Sequence, residues 1–430
     1  MLLDQERDTA RVLVGPPWRT TYLDLAGLRA PRIEDDLLAR DFTVNAMAVP
    51  VTDWQAPSPL VIDPAGGRRD LERGLLRAVS SESFSQDPLR LMRAVRLSGS
   101  LGLELESESR AWARRDAALL PTVAHERVRD ELAQIVDLVG PEHWCRLLED
   151  LGLLAEILPD LARLREVILP EAGFDALEQA YMTLSAIDTL SQALEGTLPW
   201  AAAGWPFEAL GARLAPYAQR LVAHLHTFLP GGHRAGSLLR LAALLHNVAR
   251  GAPPPAPSRL LDYETLGASV AATLMRQLCF SGAEVGRVRQ AVQAVHRPLQ
   301  LAEDRQGEVS RRQVYRFYQE ADGGGVDAVL LSLADHLASA QQEPERGHWE
   351  RHVAVARRLL HAHYEQHDQV VAPPPLLDGH DLMAALDLAE GPELGALLDS
   401  LRELQAAGEV DTREQALGAA RRLLEQGSHP

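Results

Sequence analysis

The chain has 430 residues, 46% of them apolar and 5% aromatic, enough for roughly two to four packed domains, which excludes a globally disordered polymer. Its formal net charge of −17 argues against a protein that coats nucleic acid nonspecifically, but leaves room for a local basic patch. All 43 cations are arginine; a coding bias accounts for that, and each one is still a planar fork suited to phosphate. Two cysteines, Cys145 and Cys279, cannot build a disulfide framework or a zinc site and fit a reducing compartment. With no charged-then-apolar leader and no apolar run long enough to span a bilayer, the chain reads as cytoplasmic and without a membrane partner.

In chain order, residues 10–62 hold the strand-like text. Arg11–Val14 and Thr20–Leu25, separated by Gly15-Pro16-Pro17, predict a hairpin. Residues 64–67 predict a turn, and from Phe84 onward the pattern is helical. Leu89, Met92 and Val95 form one stripe at helical spacing, with Arg90, Arg93 and Arg96 in the stripe beside it. Helices then continue to the end, broken near Pro159, Pro170, residues 199–206, 230–232, 253–257 and Gly323–Gly325. Pro373-Pro374-Pro375 predicts a stiff linker into a last helical module. The fold class expected is mainly α with a small N-terminal α/β remnant.

Asp87 and the arginine ladder carry the first chemical signal. Residues three apart on a helix are neighbours, so Arg90, Arg93 and Arg96 present a strip of guanidinium forks able to hold phosphate bidentately. An aspartate beside an arginine can also read the Watson–Crick edge of a base, one accepting and one donating. The plain alternative is a solvated arginine face. Arg40-Asp41 adds a cation and an anion, and Asn45 adds a donor and acceptor within reach of a ribose hydroxyl; alone, the pair would read as a surface turn.

Longer text joins these residues. The segment from Glu34 to Ala48 resembles the "EDLxRRDFTINAMA" segment of the class II tRNA nucleotidyltransferase and bacterial poly(A) polymerase family. Residues 62–71 resemble its "IDPFGGxxDL" turn, Leu76–Val79 its "LRxV", Phe84–Arg90 its "FxEDPLR" helix start and Glu126–Leu132 its "ERIRDEL" segment. The resemblance implies that Arg40 and Asp41 contact the ribose and phosphates of an incoming nucleotide. It implies that Asp87 and Arg90 template cytosine or adenine, with Arg93 and Arg96 as further nucleotide contacts. Arg127 and Arg129 become the RNA-binding candidates. Ala39 stands where the family has the first arginine of a pair, and Gln86 where it has an acid before Asp87; both changes are expected to weaken or relax substrate binding.

The family's chemistry uses Mg²⁺, with ATP or CTP as substrates and a tRNA or other RNA 3′ end as acceptor. Its metal carboxylates come from an Asp-x-Asp strand after a "GGxVRD" turn, and neither motif occurs in this sequence. Asp24 sits where a third strand carboxylate would lie and is the single catalytic candidate; no metal ligands are assigned. Two explanations stay open: the chain is a piece of a longer protein, or the head is degenerate. In either case the chain as given is expected to be weakly active or inactive.

Further along, Leu238–Arg250 resembles the "RLAALLHDIGK" helix of HD-type metal phosphohydrolases, with Gly267, His296–Pro298 and Ala334–Ala338 as its later motifs. Asn247 replaces the paired aspartate and Tyr263 an expected histidine, so the domain is expected to be metal-free. His224, His226 and His233 are candidates to act together, although lone helical histidines are more often surface or core fillers, and His361, His363 and His367 are expected to be solvated. Residues 376–395 resemble the family's C-terminal module, whose glycine-rich helix start either faces an RNA phosphate or is a cap.

The domain reading is therefore 1–63 partial nucleotidyltransferase head, 64–165 helical neck for nucleotide and RNA, 166–372 HD-like body, and 373–430 tail. The function implied is transfer of CMP or AMP from CTP or ATP to an RNA 3′ end. The alternatives are a noncatalytic RNA- or nucleotide-binding protein of the same fold and, more weakly, an HD phosphohydrolase.

Overall fold

The computed structural model describes residues 2–4, 9–14, 21–169, 173–251, 263–304, 308–339 and 343–427. They form two compact units, residues 1–123 and 124–430. The chain is mostly helical with few strands, as its composition predicts.

The first unit opens on a three-stranded antiparallel sheet ordered β1 (Leu2–Asp4), β2 (Thr9–Val14), β3 (Thr21–Ala26). The β2–β3 register pairs Val14 with Thr21 and Arg11 with Asp24, so the predicted hairpin is present. Val12, Leu13, Leu23 and Leu25 are exposed on it. After the sheet come α1 (Ile33–Leu38), a 3-10 turn at Thr43–Asn45, α2 (Gly67–Glu72), β4 (Leu75–Leu76), α3 (Ser83–Gln86), α4 (Leu89–Leu101), β5 (Glu104–Leu105) and α5 (Ser107–Asp116). β4 and β5 pair in parallel.

α4 is the spine of this unit. Pro88, which has no N–H to lose, leads into its first turn, and Gly102 ends it at φ +65°. Its predicted apolar stripe of Leu89, Met92 and Val95 is buried, along with Leu91, Ala94 and Leu97. The core around them includes Phe42, Leu76, Phe84 and Leu120, with Phe42 and Phe84 edge to face at 6.3 Å. Each such side chain contributes on the order of 2 kcal/mol by leaving water. Helices α1 and α2 fall in text read as strand and turn; at six residues each they are too short to show a periodic stripe.

In the second unit the helix Ala176–Glu195 packs against Ala235–Leu245 and Gly325–Ser339. Gly325–Ser339 is buried along nearly its whole length, because apolar residues occupy every face of it. Proline and glycine set the boundaries as the sequence suggests. Pro159 opens a helix, and Gly323 at φ +90° precedes the helix starting at Gly325. Pro392 opens Pro392–Ala407, and Asp378 caps Gly379–Leu386 through a reciprocal pair with Asp381. Leu377, Leu382, Leu394, Leu397, Leu401 and Val410 make the buried cluster of this last module. The breaks expected at Pro170 and residues 253–257 lie outside the described residues, as does the side chain of Tyr263. Among the described residues no helix is long and apolar enough to cross a membrane.

The histidines settle into separate structural roles, and one expectation is overturned. His224 meets Asp327 and Arg287, His226 meets Glu195, and His233 meets Glu284, so the three serve separate contacts. His363 is not solvated: burial, next to His367 and His224, pushes its imidazole down to about 4, and its ring stacks on Tyr318.

Candidate nucleotide-selection site

The two arginine-bearing segments of the sequence meet in the first unit. Residues 39–45 lead from α1 into the 3-10 turn, and α4 lies against them. Arg90, only 9% exposed, reaches back fifty residues. Its Nη1 donates to the Arg40 carbonyl at 3.4 Å and the Ser83 carbonyl at 3.2 Å, and its Nη2 donates to the Ala39 carbonyl at 3.0 Å. A buried guanidinium needs such partners, because an unpaired one is costly. Burial lowers its pKa, opposed by the charges of Asp41 and Asp87.

One turn later, Arg93 grips Asp41: Nη2 and Nε donate to Oδ2 at 2.6 and 2.9 Å. The other carboxylate oxygen, Oδ1, accepts from the Phe42 N–H at 2.9 Å and from Asn45 Nδ2 at 3.2 Å. Burial works against a charged Asp41, but Arg93, Asn45 and the Phe42 amide outweigh it and hold the carboxyl below its ordinary value. Asp87 accepts from the Leu89 amide at 3.3 Å and so also starts α4. Arg96 is half-buried one turn beyond Arg93.

Asp36 and Asp70 lie within the motif segments 34–48 and 62–71 without an expected role, and both organise the site. Asp36 is buried and accepts from the Arg29 amide at 2.9 Å and from Arg40 Nη2 at 3.3 Å. This pair sits at i,i+4, a spacing visible in the sequence. The half-exposed Arg40 is thereby aimed, and the charge of Arg29 is felt by Arg90. Asp70 accepts from Thr43 Oγ1 at 2.8 Å and from Arg77 Nε at 3.1 Å, and Arg77 Nη1 lies 3.2 Å from Glu106.

The backbone locks the same segment. The Thr43 amide donates to the Arg77 carbonyl at 2.9 Å and the Val79 amide to the Asp41 carbonyl at 3.1 Å. Gly67 is required for this fit, since a Cβ there would stand 2.1 Å from the Thr43 carbonyl oxygen. Asp63 accepts from the Gly67 and Arg68 amides at 2.7 and 3.0 Å, completing the turn predicted at 64–67.

What the assembly offers a ligand is a rim of cations on a rigid frame. Three of Arg90's N–H groups are taken by carbonyls, which leaves Nε and part of Nη2 for a base. The predicted base template is thus also a backbone tie. The predicted arginine strip is not a uniform face: Arg90 is internal, Arg93 is committed to Asp41, and Arg40 is the more exposed fork.

The described residues do not fit a two-metal centre. Asp24 lies in mid-β3, exposed, and no group of three metal-binding side chains occurs among the described residues. Hard divalent ions need clustered carboxylates. In the second unit, Arg127 is exposed at the start of His125–Val136. Arg129 is engaged, donating to Asp130 at 2.8 Å and to the Cys279 carbonyl at 2.6 Å, with Phe280 6.0 Å away.

The HD-like residues do converge, but on one another. His246 Nδ1 faces the Ala243 carbonyl at 2.8 Å, and its Nε2 lies 3.0 Å from Asp335. Gln179 donates to the same Asp335 oxygen at 2.7 Å, His296 is 3.8 Å from the other, and Asn247 Nδ2 is 2.8 Å from His246. Burial works against a charged Asp335, but His246 dominates and holds it at about 2.

Comparison with known proteins places the chain. Residues 8–77 match the family model "Poly A polymerase head domain", 102–164 the model "Probable RNA and SrmB- binding site of polymerase A", and 260–420 the model "tRNA nucleotidyltransferase domain 2 putative". The chain is 32% identical to an A-adding tRNA nucleotidyltransferase of Deinococcus radiodurans, across 99% of this chain and 86% of that protein. It is 34% identical to a CC-adding tRNA nucleotidyltransferase of Thermus thermophilus, across 96% and 82%. A solved CCA-adding enzyme in complex with ATP shares the fold, with a TM-score of 0.57 at 16% identity over 99% of this chain and 80% of that one. The chain belongs to the class II tRNA nucleotidyltransferase family.

Proposed function

We propose that this chain selects the incoming nucleotide in the transfer of CMP or AMP from CTP or ATP to a tRNA 3′ end. The observation that carries the reading is the joining of residues 39–45 to α4 through Arg90 and Arg93. In this reading Arg40 and Arg96 hold phosphate, and Asn45 meets the ribose. Asp87 accepts from the exocyclic amine of cytosine or adenine, and the free N–H groups of Arg90 donate to the ring acceptor beside it. Cytosine and adenine share that donor–acceptor edge; guanine and uracil do not. Asp41 orients Arg93 and Asn45. The reading derives no step through a metal.

We further assign 1–63 to the head, 64–165 to the neck, 166–372 to an HD-like body and 373–430 to the tail. Asp24 is carried as a carboxylate of the head, and Arg127 and Arg129 as RNA contacts of the second unit. Arg129 would need to leave its Cys279 partner to reach a phosphate.

The test is binding of the four ribonucleoside triphosphates, together with retention of a tRNA transcript that lacks its 3′-terminal CCA. The reading requires that the tRNA be held and that CTP or ATP bind in preference to GTP and UTP. Equal binding of all four would contradict it.

A further inference from the structure

The second unit holds a cavity of about 610 Å³ that the nucleotide chemistry does not use. It lies among the helices Trp205–Leu214, Arg297–Glu303 and Arg346–Glu365. Along Arg346–Glu365, residues 351, 354, 355, 358 and 361 follow a spacing of three and four, so Arg351, Ala354, Val355, Arg358 and His361 share one stripe, and all of them line the cavity. Arg213 and Arg357 bring two more guanidinium groups to the wall.

This concentration of cations stands out in a chain of net charge −17. Among the described lining residues four arginines face two carboxylates, Asp304 and Glu308, and Glu345 lies close enough to Arg351 to feel its charge. Among the described residues Arg213, Arg351 and Arg357 make no ion pair or hydrogen bond, and Glu308 acts on Arg358 only through its charge. Arg358 alone is tied, donating to Gln366 at 3.0 Å. It is half-buried; burial first and then the charge of Arg311 weigh against its own, while Glu308 supports it. The rest of the wall is apolar and aromatic: Leu301, Val309, Val355 and Tyr217. Tyr217 is fixed by His361, whose Nδ1 is 3.2 Å from its hydroxyl, and by stacking on Tyr364.

An apolar cavity of this size with a few convergent charges suits a small ligand. The exposed guanidinium forks of Arg351 and Arg357 suit a phosphate monoester, which offers three acceptor oxygens to such donors. We propose that this cavity is a binding site, separate from the nucleotide site, for an aryl phosphate monoester: an aromatic body against Tyr217 and Leu301, with its phosphate on Arg351 and Arg357.

The probe is 1-naphthyl phosphate, titrated into the full chain by calorimetry beside 1-naphthol and inorganic phosphate. One molecule should bind per chain, at least about ten-fold tighter than either half, because the charge-assisted contacts and the apolar contact act together. The double variant Arg351→Ala/Arg357→Ala should lose about ten-fold or more. Both side chains are exposed, so its circular dichroism should match that of the parent. Arg351→Lys should keep most of the affinity, and Arg93→Ala, in the first unit, should leave it unchanged. The proposal is overturned if the parent does not bind, if the double variant binds as tightly as the parent, or if Arg93→Ala abolishes binding.

Discussion

Arg90→Met tests the role that the geometry gives to Arg90. In the parent, Arg90 is 9% exposed and its guanidinium donates to the carbonyls of Ala39, Arg40 and Ser83. Methionine fills similar volume and supplies no donor, so three carbonyls lose their partner and Asp41 loses a nearby cation. Each charged hydrogen bond is worth about 1.5 kcal/mol or more. One of the three is long, at 3.4 Å, so the loss should be about 3 kcal/mol. The damage should be local to residues 39–45, which opens a direct assay by hydrogen exchange. The Thr43 and Val79 amides, bonded to the Arg77 and Asp41 carbonyls, report on that segment. Their exchange should accelerate by roughly 100-fold in the variant, since 1.4 kcal/mol is a factor of ten. Arg90→Lys, with a shorter reach and three donors, should fall between. Exchange unchanged within about three-fold, with nucleotide binding lost, would mean that Arg90 acts on the base alone and does not tie the backbone.

Other parts of the account are open to test as well. Arg93→Ala strands a buried carboxylate and should destabilise the first unit by about 2 kcal/mol in urea. The folded pKa of Asp41 is depressed. Its contribution in the parent is therefore complete above about pH 4 and lost as pH falls through the folded value; in the variant, where only Asn45 and the Phe42 amide are left to oppose burial, the loss should begin at higher pH. His352 is buried between Ser332 and His336, and burial pushes it down to about 3. The unfolded chain then binds the proton first, so stability of the second unit should fall as pH drops from about 6.5 toward 3. His352→Gln should flatten that slope. Gly67→Ala drives a methyl to 2.1 Å from the Thr43 carbonyl. It should lower the thermal midpoint, at a cost of about 2 kcal/mol; an unchanged midpoint would show that the turn can move aside.

The sequence exposed the frame of the site better than its wiring. Alternation in residues 11–25 marked the hairpin, and the stripe Leu89, Met92 and Val95 marked the buried face of α4. The arginine ladder was visible too, but spacing alone cannot say which guanidinium turns inward. Arg90 is internal because its helix face meets the carbonyls of residues 39 and 40, fifty residues away. The Asp41–Arg93 pair is hidden for the same reason, while Asp36–Arg40, at i,i+4, could have been read directly. Three histidines close in sequence went to three unrelated partners, because neighbouring positions on and after a short helix point in different directions. The arginine-lined cavity drew no attention: positions 351, 354, 355, 358 and 361 look like an ordinary solvated stripe until Arg213 and Leu301 arrive from other helices.

The central claim is that residues 39–45 and α4 form one nucleotide-selecting surface. Calorimetric titration of ATP and CTP into the chain, the parent beside Asp87→Ala and Arg40→Ala, tests it most directly. The account predicts saturable binding by the parent and a loss of about ten-fold or more in each variant. Binding that is equally tight in both variants, or absent from a correctly folded parent, would contradict it.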